Sequence, residues 1–241
     1  MCAAILAVPR FFRDIFAYSR KHVSGQPFPL RLAQLHPCLT DYHGNSGVTR
    51  GHYFYQDLHV ARLIYAKNPH RHVDIGSRVD GFITHLLCFR NLEYVDIRPL
   101  RDELPGLKFT CSDATCLAEF DTDSVESISS LHAAEHFGLG RYGDPIDPSA
   151  CFKFMRSLAR VLAPGGRLYF SVPVGRQRLE FNGHRIFSTL TIMNTFNDLH
   201  LVSFCAVLDD GKLYMNASLD EASSAYHACG IFEFTKSAWT F

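Results

Sequence analysis

From residue 70 to about 235 the chain alternates short apolar runs with stretches of helical periodicity, and this alternation restricts the fold more than any other feature. Runs of strand length at 72–75, 92–97, 108–111, 125–131 and 167–172 are separated by connections long enough to carry a helix or a broad loop. Parallel neighbours need crossovers of about a dozen residues, whereas hairpins need only two to five. The spacing therefore predicts an α/β chain with an open, Rossmann-like, doubly wound and mostly parallel sheet. Helices are expected at 82–89, 150–162 and 189–197, the second closed by the Pro164-Gly165-Gly166 turn. Runs at 201–207 and 230–235 bring the strands to seven, the last antiparallel. A closed eight-unit barrel would need more strands than these.

Residues 1–69 read as an N-terminal extension or cap packed on the core, and 70–241 as the Rossmann-like domain. Phe11, Phe12 and Phe16 suit a short helix, and Pro27, Pro29, Pro37, Gly44 and Gly47 suit a long loop. An amphipathic helix at 56–66 stops before Pro69. Lys plus Arg equals Asp plus Glu, 24 against 24, which removes the electrostatic case for nucleic acid as main partner. No run reaches membrane-spanning length, and Arg10 and Arg13 follow the apolar start instead of preceding it, the wrong order for a signal peptide. The 8 cysteines form no Cys-x-x-Cys pair, and several sit in apolar runs, as Cys88 and Cys205 do. They read as reduced, mostly core thiols of a cytoplasmic protein. Near-terminal Trp239 is expected to pack on the sheet.

Ligands of open α/β sheets bind at the carboxyl ends of the strands. The first strand leads into Asp74-Ile75-Gly76-Ser77-Arg78-Val79-Asp80-Gly81, where glycines let backbone N–H groups come close to a ligand. Asp74 is placed to reach a ligand ammonium. Asp96, before Ile97 at the end of the second strand, is placed to accept both ribose hydroxyls of a nucleoside. Asp113, before Ala114 after the third strand, is placed to read an adenine amino group. One strand-end aspartate is commonly a turn residue or cap, but three at successive strand ends point to a nucleoside.

Together with Glu135-His136 and Leu162-Ala163-Pro164-Gly165-Gly166, these segments resemble class I S-adenosylmethionine-dependent methyltransferases over residues 70 to about 235. More narrowly, Gly51-His52-Tyr53-Phe54, Gln56-Asp57-Leu58, Asp74–Gly81 and Leu131–Pro148 look like domain-of-unknown-function family two hundred sixty-eight. The resemblance implies S-adenosylmethionine as cofactor, held by Asp74, Gly76, Ser77, Arg78, Gly81, Asp96, Ile97, Asp113 and Ala114. It also implies methyl transfer to a small polar acceptor, and the family's company with glycan-assembly genes points to a sugar hydroxyl. One departure stands out: Arg78 and Asp80 replace the second and third glycines of the usual loop. Arg78 could fold outward, pair with Asp80, or fill the space of the methionine moiety. The last arrangement would make the chain a catalytically silent binding module. An NAD-dependent oxidoreductase or epimerase is the third reading, since Asp96 suits a ribose there too.

For a hydroxyl acceptor the expected bases are His132, then His136, then Asp147. Arg141, Tyr142 and Asp144, in a stiff loop of glycines and prolines, are expected to hold the acceptor, with His52 and Tyr53 as a cap. His132-Ala133-Ala134-Glu135-His136 formally matches an inverted zinc-protease motif. That chemistry needs both histidines one turn apart on a helix with a further ligand elsewhere, and the glycines at 138 and 140 argue against the helix. No metal is expected, the alternative being a divalent ion that orients a sugar diol.

Overall fold

The computed structural model describes residues 2–237, and Trp239 lies outside them. The chain divides into two compact units, 1–48 and 49–241. In the first, α1 (Cys2–Lys21) runs for 20 residues, longer than the short helix expected. Apart from Pro9, nothing interrupts helical propensity before Ser24-Gly25, where Gly25 takes φ +90°. Short 3-10 turns at Leu32–Gln34 and Asp41–His43 punctuate the proline-rich loop.

The second unit starts with α2 (His52–Lys67), so this helix belongs to the larger body. Its Val60, Ala61 and Ile64 are buried with Phe82, Ile83 and Leu86. Left-handed Asn68 caps it ahead of Pro69. The strands and helices that follow are β1 (Val73–Ile75), α3 (Thr84–Leu87), β2 (Leu92–Asp96), β3 (Leu107–Cys111), β4 (Val125–Leu131) and α4 (Ala150–Val161). Next come β5 (Leu162–Val174), β6 (Arg178–Glu180), β7 (His184–Ile186), α5 (Thr189–Thr195) and β8 (His200–Val207). The chain closes with β9 (Leu213–Tyr214), α6 (Leu219–Ser224) and β10 (Ala228–Thr235). Where a helix was expected at 82–89, a π-turn over Val79–Ile83 feeds the single turn of α3.

The main sheet has the order β3-β2-β1-β4-β5-β10-β8-β9. Strands β1 to β5 are parallel, and β10 inserts antiparallel between β5 and β8. The mixed sheet with an antiparallel last strand is as expected. The count is not: two-residue β9 adds an eighth strand at the edge, and β6 and β7 form a separate hairpin. Chain order reverses direction between β1 and β4, which makes that gap the switch point where ligands bind. The Pro164-Gly165-Gly166 segment lies within β5 as an irregularity against β4, with Gly165 at φ +76° and its N–H bonded to the Lys236 carbonyl.

Period-two alternation splits the core between the two faces of the sheet. Phe154, Leu158, Phe170, Phe232 and Phe234 lie on one face, and Ile64, Phe82, Tyr169 and Ile231 on the other. Cys151, Cys205 and Cys229 are buried free thiols. Cys38, Cys88, Cys111 and Cys116 are exposed, a correction to the core reading; α3 turns Cys88 outward, where its Sγ donates to the Thr84 carbonyl.

Candidate functional site

The carboxyl ends of β1, β2, β3 and β4 surround a cavity of about 430 Å³, within the range of small-molecule sites. Gly76 brings the backbone to its wall with φ +74°, and a Cβ there would lie 2.9 Å from the Ala133 Cβ. Glycine is therefore the residue that fits.

Asp74 and Ser77 stand behind this loop, not at the cavity. Asp74 is fully buried, and its carboxylate accepts the Ser77 N–H at 3.1 Å, the Ser77 hydroxyl at 2.7 Å and the Ser129 hydroxyl at 2.5 Å. The expected contact of Asp74 with a ligand ammonium is not made from this position; burial lifts its pKa to about 7 in spite of those bonds. Gly81 also lies off the cavity wall, where a Cβ would meet Asp57 Oδ2 at 2.6 Å. Arg78 lines the cavity mouth but turns outward. It makes a two-pronged pair with Asp80 at 3.0 and 2.7 Å and lies 4.9 Å over the Tyr53 ring, which leaves the interior open.

Asp96 and Ile97 line the cavity from the end of β2. Both Asp96 oxygens are engaged: the Tyr94 hydroxyl donates at 2.7 Å, and Arg98 donates from its backbone at 2.8 Å and its guanidinium at 2.9 and 2.5 Å. Burial pushes the Asp96 pKa up, but the Arg98 and Tyr94 bonds outweigh it and hold the group below the usual carboxylate range. Asp113 is exposed on the cavity wall beside buried Ala114, and only its Oδ1 is bonded, accepting the Thr115 N–H at 2.9 Å.

His132 follows β4 with φ +51°, and its Nδ1 lies 2.7 Å from Glu135 Oε1. Burial opposes a charge on this imidazole, while Cys229 and Glu135 outweigh it and raise its pKa above the ordinary value. His136 also lines the cavity; its Nδ1 donates to the Gly183 carbonyl at 2.8 Å, which leaves Nε2 as the acceptor. Burial lowers its pKa, so the imidazole is neutral at pH 7. Tyr142 sits between the Arg98 and Arg141 guanidiniums, 4.7 and 5.2 Å from its centroid, and edge-on to His136.

Two acidic residues of this loop organise it. Asp144 accepts N–H bonds from Gly138, Gly140 and Tyr142. Asp147 takes the Lys153 ammonium at 2.7 Å and both donors of Ser149, which hold its pKa at about 2. So placed, Asp147 is a weaker base than a neutral imidazole. Of the cap pair, Tyr53 lines the cavity, while His52 lies behind it with its ring parallel to His132 at 5.2 Å. Arg98, Lys153 and Cys229 went unread in the sequence. Arg98 alone carried a signal, two residues beyond Asp96.

The family model described as "Caenorhabditis protein of unknown function, DUF268" matches residues 111–226, from the end of β3 through α6. Among solved structures, the chain is similar to the [4+2]-cyclase SpnF at 12% identity, covering 80% of this chain and 86% of that one with a TM-score of 0.55. It is similar to Burkholderia thailandensis 1,6-didemethyltoxoflavin-N1-methyltransferase, with bound 1,6-didemethyltoxoflavin and S-adenosylhomocysteine, at 14% identity (76% and 78% covered, TM-score 0.55). A putative sarcosine dimethylglycine methyltransferase from Galdieria sulphuraria is similar at 13% identity (76% and 86% covered, TM-score 0.54). No curated protein matches the chain. The fold is that of the class I methyltransferases, and the presence of a cyclase among the neighbours shows that this fold alone does not fix the reaction.

Proposed function

We propose that the protein is an S-adenosylmethionine-dependent methyltransferase acting on a small polar acceptor, with a sugar hydroxyl as the leading class. The observation that carries this reading is the convergence of the Gly76 loop, Asp96 and Asp113 on one cavity at the switch point of the sheet. Bound S-adenosylmethionine supplies a sulfonium methyl open to in-line displacement. The protein's share is then to position the acceptor and remove a proton.

Asp113, with an oxygen free, reads the adenine amino group, and Asp96 takes the ribose once Arg98 yields part of its grip. Ile97 and Ala114 supply apolar wall beside them. His136, neutral and with Nε2 as acceptor, is the base for the hydroxyl proton. His132 is less suited, because Nδ1 is tied to Glu135 and Nε2 is buried without a partner. Arg141 and Tyr142 hold the acceptor across from Tyr53, and Asp144 keeps their loop in shape. The outward pairing of Arg78 with Asp80 favours this reading over a silent module.

Among the described residues no helix is long and apolar enough to cross a membrane. The free thiols support the cytoplasm as the compartment. Calorimetric titration with S-adenosylmethionine, S-adenosylhomocysteine and NADH tests the assignment. Micromolar binding of the first two is expected. Binding of NADH alone would make the chain an oxidoreductase, and binding of none would make it a silent module.

A further inference from the structure

Behind the cavity floor, three segments far apart in sequence bring His52 from the start of α2, His132 from the end of β4 and Cys229 from β10 together. One ligand atom from each lies within 4.8 Å of the others. We propose that this cluster is a metal site for a zinc-class divalent ion.

The hydrogen bonds already leave one nitrogen of each imidazole for the cluster. His52 Nε2 donates to the His227 carbonyl at 3.2 Å, so its lone pair is on Nδ1. His132 Nδ1 donates to Glu135 at 2.7 Å, which leaves Nε2, a buried atom with no hydrogen-bond partner, as the nitrogen an ion would take in place of its proton. A carboxylate behind a ligating histidine is the usual support of such a ligand. An orphaned imidazole nitrogen, nine-tenths buried and facing a second imidazole and a thiol, is otherwise a cost without a return.

Charge and distance agree with this assignment. A divalent ion displaces the His132 Nε2 proton and the Cys229 thiol proton, both of which leave for solvent, and the new thiolate together with the Glu135 carboxylate balances the two positive charges. Gln56 Oε1, 3.6 Å from Cys229 Sγ, accepts that proton's hydrogen bond before the ion binds. Bonds of about 2.0–2.3 Å put tetrahedral ligands roughly 3.3–3.8 Å apart, so side-chain adjustments of about 1 Å close the site. Two nitrogens and one sulfur suit zinc over magnesium or calcium. His227, whose ring centroid lies 5.0 Å from that of His52 and whose Nε2 is also buried and unpartnered, offers a further nitrogen for a fourth position. The zinc-protease spacing at 132–136 is not the one used: His136 turns to Gly183, and the remaining ligands come from residues 52 and 229.

The test is metal stripping with a chelator, then titration with Zn2+ against a chromophoric competitor and with Co2+ by absorption. One equivalent per chain is expected, with a thiolate-to-cobalt charge-transfer band. Affinity should fall at least a hundredfold in Cys229→Ser and His52→Ala but stay within threefold in Cys205→Ser, a buried thiol outside the cluster. Should a variant fail to fold, the wild-type cobalt spectrum still decides. Absence of the charge-transfer band, no stoichiometric binding, or full affinity in folded Cys229→Ser would each overturn the site.

Discussion

Arg98 covers both carboxylate oxygens of Asp96, with Nε 2.9 Å from Oδ1 and Nη2 2.5 Å from Oδ2, at the position where a ribose diol would be accepted. The pair keeps Asp96 ionised and aimed, and on the proposed function it would compete with the cofactor ribose for the same lone pairs. Asp96→Ala should therefore weaken S-adenosylhomocysteine binding about a hundredfold, or about 2.7 kcal/mol. Arg98→Ala should tighten it by three- to tenfold. Calorimetry on both variants checks this, and weaker binding in Arg98→Ala would show the guanidinium to be part of the ribose grip.

The choice of base divides His136 from Asp147. His136→Gln should lower kcat at least a hundredfold and leave cofactor Kd within about threefold, while Asp147→Asn should keep most of the turnover. The groups facing His136 are Glu135, which raises its pKa, and Arg141 and His132, which lower it, with His184 edge-on. Burial is the largest influence and lowers it. With His136 as the proposed base the neutral imidazole is the active form, so kcat should fall on the acid side with a midpoint below 6.5. A midpoint in the carboxylate range that survives His136→Gln would remove His136 from this role.

Strand-end aspartates and the alternation of strand and helix make the sheet and three walls of the cavity legible in the sequence alone. Asp96 and Asp113 are at the cavity because a strand end is a local property of the pattern. Asp74 is not, because its side chain points into the gap between β1 and β4, where Ser129 and Ser77 claim it. Short apolar runs do not reveal which neighbour they pair with. The link between Cys229 and His132 depends on β10 inserting beside β5, which no spacing announces.

Gly138 carries the loop that places Arg141 and Tyr142 at the cavity. Its φ is +76°, its N–H donates to Asp144, and an added Cβ would overlap the Asp147 carbonyl and come within 2.8 Å of the Ala150 Cβ. Gly138→Ala should cost about 2 kcal/mol or more in urea denaturation and unseat Arg141 and Tyr142. Gly143→Ala, with φ +85° but open space around the site, should cost about 1 kcal/mol. Equal losses in the two would mean that backbone strain, and not the close approach, governs the loop.

Asp74, Ser129, His72 and Ser127 form one buried chain: Ser129 Oγ lies 2.5 Å from Asp74 and 2.9 Å from His72 Nε2, and Ser127 Oγ lies 2.8 Å from His72 Nδ1. Burial, with Arg90 nearby, lowers the His72 pKa to about 3. From pH 6.5 down to 3 the unfolded chain takes up a proton there that the folded chain refuses, so stability falls as pH falls. Asp74 acts in the opposite sense. Its folded pKa of about 7 lies above the ordinary 3.8, so between those values the folded chain holds a proton that the unfolded chain releases. That contribution is complete below pH 3.8 and is lost as pH rises through 7. The two slopes oppose each other across the shared window, and Asp74→Asn removes one of them. Unfolding free energy against pH should therefore become steeper in the variant, by up to about 1.4 kcal/mol per pH unit between pH 4 and 6.5, with stability rising toward neutrality. Urea denaturation across that range measures both slopes. Identical slopes would mean that the three donors keep Asp74 ionised in the folded protein.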